Sequence, residues 1–142
     1  MKAKLDLKGL DKYLASLEQM NLDMNQVCAD ALKTGAERAV RGMKKRVAVD
    51  TGDLKKSIIV GDIKIDGNDV SIEFGVLTDD PEIRRYAHFQ EYGSSSMPAH
   101  PFIRPTMAED KRGIKSAMIN KLKKIGVQAA ASAEGEGSGS EG

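Results

Sequence analysis

Apolar or small residues recur at every fourth position from Met24 to Val47, at Val27, Ala31, Gly35, Ala39, Met43 and Val47, while Lys33, Glu37, Arg41 and Lys44 fall largely off that line. A repeat close to 3.6 residues marks a helix with one buried stripe, and this stretch predicts the longest helix of the chain. Because the stripe is rich in Ala and Gly, whatever packs on it can approach closely, although Gly35 costs about 1 kcal/mol against Ala. Cys28 lies beside the stripe and reads as a small hydrophobe. Upstream, KAKLDL (Lys2–Leu7) alternates, with Leu5 and Leu7 on one side, as a short strand or extended arm would, and Gly9 ends it. Leu10, Leu14 and Leu17 then predict a short amphipathic helix, broken at Asn21 and Asp23.

Asp50, Thr51 and Gly52 interrupt the pattern, and Asp50 or Thr51 is expected to cap a one-turn helix through Ser57. The period then becomes two. Ile59, Ile63 and Ile65 alternate with Val60, Asp62 and Lys64, and Val70, Ile72, Phe74 and Val76 alternate with Ser71, Glu73 and Gly75. With Asp66-Gly67-Asn68-Asp69 between them, the two runs predict a β-hairpin with one apolar face. Thr78 to Arg85 reads as a polar loop. A second long helix is expected from Pro105, with Pro in its first turn and Met107, Ile114, Met118, Leu122 and Ile125 as its apolar line. The expected class is α+β: a small antiparallel sheet built on a β-hairpin, packed by a long helix from the N-terminal half and a C-terminal helix.

Composition narrows the picture. The 142 residues are 40% hydrophobic and 30% charged with a net charge of +1, too apolar and too weakly charged for a wholly disordered chain. Aromatic residues make up 4% and Trp is absent, which argues against a base-stacking nucleic-acid platform. A single Cys excludes an intrachain disulfide or a multi-cysteine zinc site. No apolar run reaches 18 residues and no apolar segment follows a basic start, so a soluble protein made inside the cell is expected. From Gly126 to Gly142 there are three Glu and no Lys or Arg, which leaves 22 basic against 18 acidic residues in the first 125, a body charge of +4. The expected organisation is one domain over 1–125 and a disordered Gly/Ala/Ser/Glu-rich acidic tail over 126–142.

The scarce residue types are not spread evenly. Between Pro81 and Pro105 lie four of the six aromatic residues (Tyr86, Phe89, Tyr92, Phe102), both histidines and all four prolines. Tyr86, Phe89 and Tyr92 are three apart and share a face of a short helix that Gly93 ends. Pro98, Pro101 and Pro105 stiffen the segment after it, and a rigid aromatic loop of this length inside a compact domain points to function. Its catalytic content is thin. His88, Glu91 and His100 supply two imidazoles and a carboxylate without a diagnostic metal spacing. Ser94, Ser95 and Ser96 lack a nucleophile elbow and suit a turn. No catalytic residue, metal or cofactor is assigned.

Two motifs carry a family resemblance: VDTGDLKKSI (Val49–Ile58) and, beyond the hairpin, YAHFQEYGSSSMPAHPFIRPTM (Tyr86–Met107). Together with the closing basic helix they resemble the tail-component family of long-tailed phages and prophages whose founding member is the gene-product-ten protein of phage HK-ninety-seven. Val49, Asp50, Thr51, Gly52, Leu54, Ser57 and Ile58 match the first motif. Tyr86, Ala87, Glu91, Gly93, Ser94, Pro98, Ala99, Pro101, Phe102, Ile103, Arg104 and Pro105 match the second. The resemblance extends from about Leu10 to Ile125.

The resemblance implies a non-enzymatic virion protein at the neck or head-proximal end of the tail, in tail completion or head–tail joining. It would work with other neck and tail proteins, as a homo-oligomeric ring. In that setting Tyr86, Phe89, Glu91, Tyr92, Gly93, Pro98, Pro101, Phe102, Arg104 and Pro105 form the expected interaction loop, with Tyr92 and Phe102 as anchors unless they close the domain's own core. Arg104 is placed to pair with Glu91. Arg38, Arg41, Lys44, Lys45 and Arg46, or the Lys121–Lys124 cluster, are candidates to face DNA in the lumen of a ring. The rival readings are a tail terminator capping the tube, a small basic nucleic-acid-binding protein, and a metal-dependent hydrolase using His88, Glu91 and His100.

Overall fold

The computed structural model describes residues 1–48, 52–67 and 69–141, with side chains to residue 132. Val49, Asp50 and Thr51, which include the expected cap of the short helix, and Asn68 of the expected turn lie outside the described residues. In chain order the elements are β1 (Lys2–Leu5), α1 (Asp11–Glu18), α2 (Met24–Arg46), α3 (Gly52–Lys56), β2 (Ile58–Asp66), β3 (Asp69–Val76), α4 (Pro81–Tyr92), α5 (Ile103–Glu109) and α6 (Lys111–Glu141).

The helix with the four-residue repeat is α2. Asp23 starts it, its carboxylate accepting from the amides of Asn25 at 3.1 Å and Gln26 at 3.4 Å, which satisfies two of the unpaired donors of the first turn. The stripe is buried along its length, with Val27, Ala31, Ala39, Met43 and Val47 at 4% exposure or less. A Cβ on Gly35 would stand 2.7 Å from Met118 Cγ and 3.1 Å from Leu5 Cδ1, so this glycine lets α6 and β1 close onto the helix. Cys28 is half-buried, and its desolvation pushes the thiol up, away from the reactive thiolate.

The sheet is antiparallel with strand order β1-β3-β2. β3 is therefore central, and its alternate residues Val70, Ile72, Phe74 and Val76 are buried. Of the two forms expected for KAKLDL, a short strand or an extended arm, it takes the first, pairing as a third strand Lys2 with Gly75 and Leu5 with Ile72. The strict alternation read for β2 breaks at an irregularity between Val60, opposite Phe74, and Ile63, opposite Ile72. β2 takes one more residue than β3 over that interval, so Val60 and Ile63 both pack against the core while Ile59 turns to the outer face at 43% exposure.

α2 contacts β3 and β2 as well as α5 and α6, so sheet and helices share one core with Phe74, Leu32, Met43, Phe102 and Leu122 inside it. Two expected boundaries shift. The stretch read as a polar loop is helical from Pro81, because Asp80 accepts from Glu82 N at 2.9 Å and Pro81 sits in the first turn. The helix expected from Pro105 is two helices, broken at Asp110. Ile114, Met118 and Leu122 carry α6 onto the core, Gly126 lies beneath Leu17, and Val127 is 69% exposed. The backbone nonetheless stays helical beyond Gly126, since extending an existing helix through Val127–Ser132 needs no new nucleus.

Candidate functional site

The loop that concentrates the scarce residues joins α4 to α5. Gly93 ends α4 at φ +76°, its amide donating to Phe89 O at 2.7 Å. A Cβ at Gly93 would stand 2.8 Å from Ala99 N, so both conformation and space require glycine. Ser94 N donates to Met97 O at 2.8 Å, and His100 N donates to Gln90 O at 2.7 Å, which brings the returning strand of the loop beside α4.

α5 starts at Ile103 after Phe102, whose side chain offers no capping oxygen. Glu91 supplies one from α4. Its Oε1 accepts from Phe102 N at 3.0 Å and Ile103 N at 2.8 Å, and its Oε2 accepts from Arg104 N at 3.1 Å and Arg104 Nε at 2.9 Å. Arg104 Nη2 also donates to the Glu91 carbonyl. The pairing expected from the motif is present. Burial of the Glu91 carboxyl would raise its pKa, but the three amides and the guanidinium outweigh it and hold the group below the usual carboxylate range. A carboxylate whose two oxygens already take four donors is not free to bind a metal ion, and His88 instead packs against Tyr92, the rings tilted by 49° with centroids 5.0 Å apart.

The loop residues divide by exposure. Phe102 is 0% exposed and belongs to the core, so it is not a surface anchor: the chain entering α5 directs its ring inward, and Thr106 Oγ1 closes the turn by donating to Phe102 O at 2.6 Å. Tyr92 at 53%, Met97 at 37% and Phe89 at 37% stay outside. Arg104 lies over the Tyr92 ring at 4.7 Å, so the carboxylate that caps α5 also holds the cation that fixes the exposed ring. Tyr86, Gly93, Pro101 and Pro105 are half-buried and Pro98 is exposed. Beneath the loop, Gln90, Arg46, Ala48, Met97 and His100 line an open cavity of about 400 Å3, and Gln90 Oε1 is buried without a partner among the described residues.

In the first motif Leu54 is buried at 1% exposure, and Ser57 closes α3, its Oγ donating to Asp53 O at 2.9 Å. Gly52 opens that helix.

The five basic residues of α2 do not form one free face. Arg46 grips Asp110 with two nitrogens at 2.8 and 3.0 Å, Thr106 Oγ1 at 3.1 Å and Glu109 at 3.1 Å. Arg38 approaches the same Asp110 at 3.7 Å. Both arginines are therefore structural, and Lys44 is half-buried. Arg41 and Lys45 are the two of the five that face solvent. Sequence patterning missed this cluster around Asp110, because 64 residues separate Arg46 from Asp110 and no local spacing links them.

A family model described as "Bacteriophage HK97-gp10, putative tail-component" matches residues 8–93. The match takes in the Val49–Ile58 motif, the hairpin and α4 with Glu91 and Gly93, and stops before Pro98–Pro105. Comparisons with curated proteins and with solved structures give no significant match.

Proposed function

Since this chain belongs to the bacteriophage HK97-gp10 tail-component family, we propose that it acts at the neck or head-proximal end of the tail, in tail completion or head–tail joining. A tail component is a structural protein of the virion that meets other tail proteins; the position and the mode of action are the proposal. The protein works without catalysis, as one subunit of a homo-oligomeric ring. Residues 1–125 are the working domain and 126–142 an acidic appendage.

One observation carries the reading: the last turns of α4 expose aromatic rings, and a buried carboxylate from the same turn ties α5 and the intervening loop back against them. Tyr92 and Phe89 present rings to solvent from α4, while Glu91 holds the start of α5, and with it Arg104, against the Tyr92 ring. Such a surface loses little conformational entropy on docking, and aromatic side chains carry a large share of interface energy. The interaction residues are then Phe89, Tyr92, Met97 and Arg104, with Glu91, Gly93, Pro98, Pro101 and Pro105 positioning them. Arg41 and Lys45 remain as the α2 residues able to face DNA.

Deleting the reading frame from a phage genome that carries it, followed by electron microscopy of the lysate, tests the assignment. The expected particles are filled heads and separate tails of normal length. Tails of abnormal length would replace the reading with tail termination, and normal infectious particles would remove it.

A further inference from the structure

The cavity beneath the α4–α5 loop holds a polar atom that the fold does not use. Gln90 lies on the buried side of α4 with Ala87 and Glu91 and is 4% exposed. Two other buried polar side chains nearby are spent inside the protein: Glu91 caps α5, and Thr106 Oγ1 donates to Phe102 O. Gln90 Oε1 is the one buried side-chain oxygen or nitrogen without a partner among the described residues. An acceptor left unpaired in such a place is costly, so the site calls for a donor that the described residues do not supply.

The lining narrows what that donor is. Arg46 borders the same cavity, but its guanidinium is taken by Asp110, Glu109, Thr106 and the Gly42 carbonyl, so it neither serves Gln90 nor draws an anion. Ala48 and Met97 add apolar wall. At about 400 Å3 the space has the size of a ligand pocket, far beyond the roughly 30 Å3 that one water takes. A carboxamide carries N–H donors beside its oxygen, and a peptide group offers C=O and N–H to match, so a main-chain amide is its two-point complement.

The cavity is continuous with the contact surface proposed above. Met97, 37% exposed, lines the one and belongs to the other. His100 also lines the cavity and is exposed, and its amide donates to Gln90 O at 2.7 Å, which fixes the rim against the residue that bears the unpaired oxygen.

We propose that this cavity takes an extended peptide segment of the neck or tail protein that docks on the contact surface. One main-chain amide of that segment donates to Gln90 Oε1, and an apolar side chain rests on Ala48 and Met97. The proposal rests on the docking reading and adds a specificity element to it: a segment with proline at that point has no N–H to give and leaves Gln90 unpaired.

Complementation in vitro tests it: purified full chain is added over a dose series to the lysate of the deletion phage, with its separate heads and tails, and joined particles are counted. Gln90→Met keeps the side chain's length and removes both polar groups. The variant is expected to melt at or above the wild-type temperature, because the orphan oxygen is gone, and to need about tenfold more protein for half-maximal joining. Ala48→Leu, which fills the cavity and leaves Gln90 in place, should raise the dose likewise. A Gln90→Met chain that melts several degrees lower has lost a partner within its own chain, and overturns the proposal. Either variant, folded, that joins at the wild-type dose also overturns it and leaves water as the ligand of Gln90; the docking reading then stands or falls with the Tyr92→Ala, Phe89→Ala double variant in the same assay. A wild-type chain that restores no joining overturns both.

Discussion

Glu91 and Arg104, thirteen residues apart, hold each other through both side chain and backbone. Arg104 donates its Nε and its own amide to one carboxylate oxygen, and its Nη2 to the Glu91 carbonyl. The exchange joins the last turn of α4 to the first turn of α5 across a loop that has no regular structure of its own. It also leaves the guanidinium over Tyr92, where it fixes that ring at the surface. A buried carboxylate is thus what makes an exposed aromatic rigid.

The two partners are unequal, and substitution should show it. Glu91→Gln keeps the shape but removes the charge, and it turns an amide N–H toward backbone donors in a site that is 0% exposed. A loss of about 3 kcal/mol in urea unfolding is expected. Arg104→Ala removes one charged hydrogen bond and one to a carbonyl from a side chain that is 56% exposed, while the three amides keep their acceptor. Its expected cost is about 1 kcal/mol. Equal losses would contradict the assignment of Glu91 as the cap of α5.

The pH dependence of stability rests on the same group. The folded Glu91 carboxyl titrates below its ordinary value of about 4.3, so its contribution is complete above that pH and is lost as pH falls through the lowered folded value. Asp110 behaves alike, because hydrogen bonds from Arg46 first, and the charges of Arg46, Arg38 and Lys45 after them, depress its pKa against the opposing effect of burial. Unfolding free energy measured from pH 6 to pH 2 should therefore fall steeply below about pH 4 to 5. Glu91→Gln and Asp110→Asn should each flatten part of that slope while lowering the plateau.

The α2 helix offers a contrast between cations of different roles. Arg46→Ala strands Asp110, whose side chain is 15% exposed, leaving it the more distant charges of Arg38 at 3.7 Å and Lys45 among the described residues, and should cost about 2 kcal/mol. Arg41→Ala and Lys45→Ala remove solvent-facing charges and should stay within about 0.5 kcal/mol of wild type. If these two meet DNA, their removal should lower the salt dependence of binding in a shift assay without moving the melting temperature.

What could be read along the chain was what repeats locally. α2 and the hairpin declare themselves because burial of one face imposes a period on consecutive residues. The Glu91–Arg104 pair was legible because both residues stand in one motif. The third strand was visible as a short strand or extended arm without a place in the sheet, since nothing in KAKLDL names β3 as its partner. The break at Asp110 was hidden for the same reason: Met107 and Ile114 keep helical spacing across it, and the arginine that binds Asp110 lies in another helix. Phe102 illustrates the remaining gap. Its motif carries both Phe102 and Tyr92, and only the path of the backbone into α5 sends one ring inward and leaves the other outside.

That difference supplies the sharpest separation of core from contact surface. Phe102→Ala empties a fully buried site and should destabilise the protein by about 3–5 kcal/mol, enough to unfold much of the population at physiological temperature. Tyr92→Ala forfeits a half-exposed ring and its contact with Arg104, a loss of about 0.5–1 kcal/mol. Phe89→Ala should cost no more. If Tyr92 and Phe89 are the docking surface, a phage carrying Tyr92→Ala with Phe89→Ala should yield soluble, folded protein and few joined particles. Phe102→Ala should yield little folded protein at all. Heads and tails that join normally in the double variant would show that the exposed rings are not the contact, and that the rigid loop serves the fold alone.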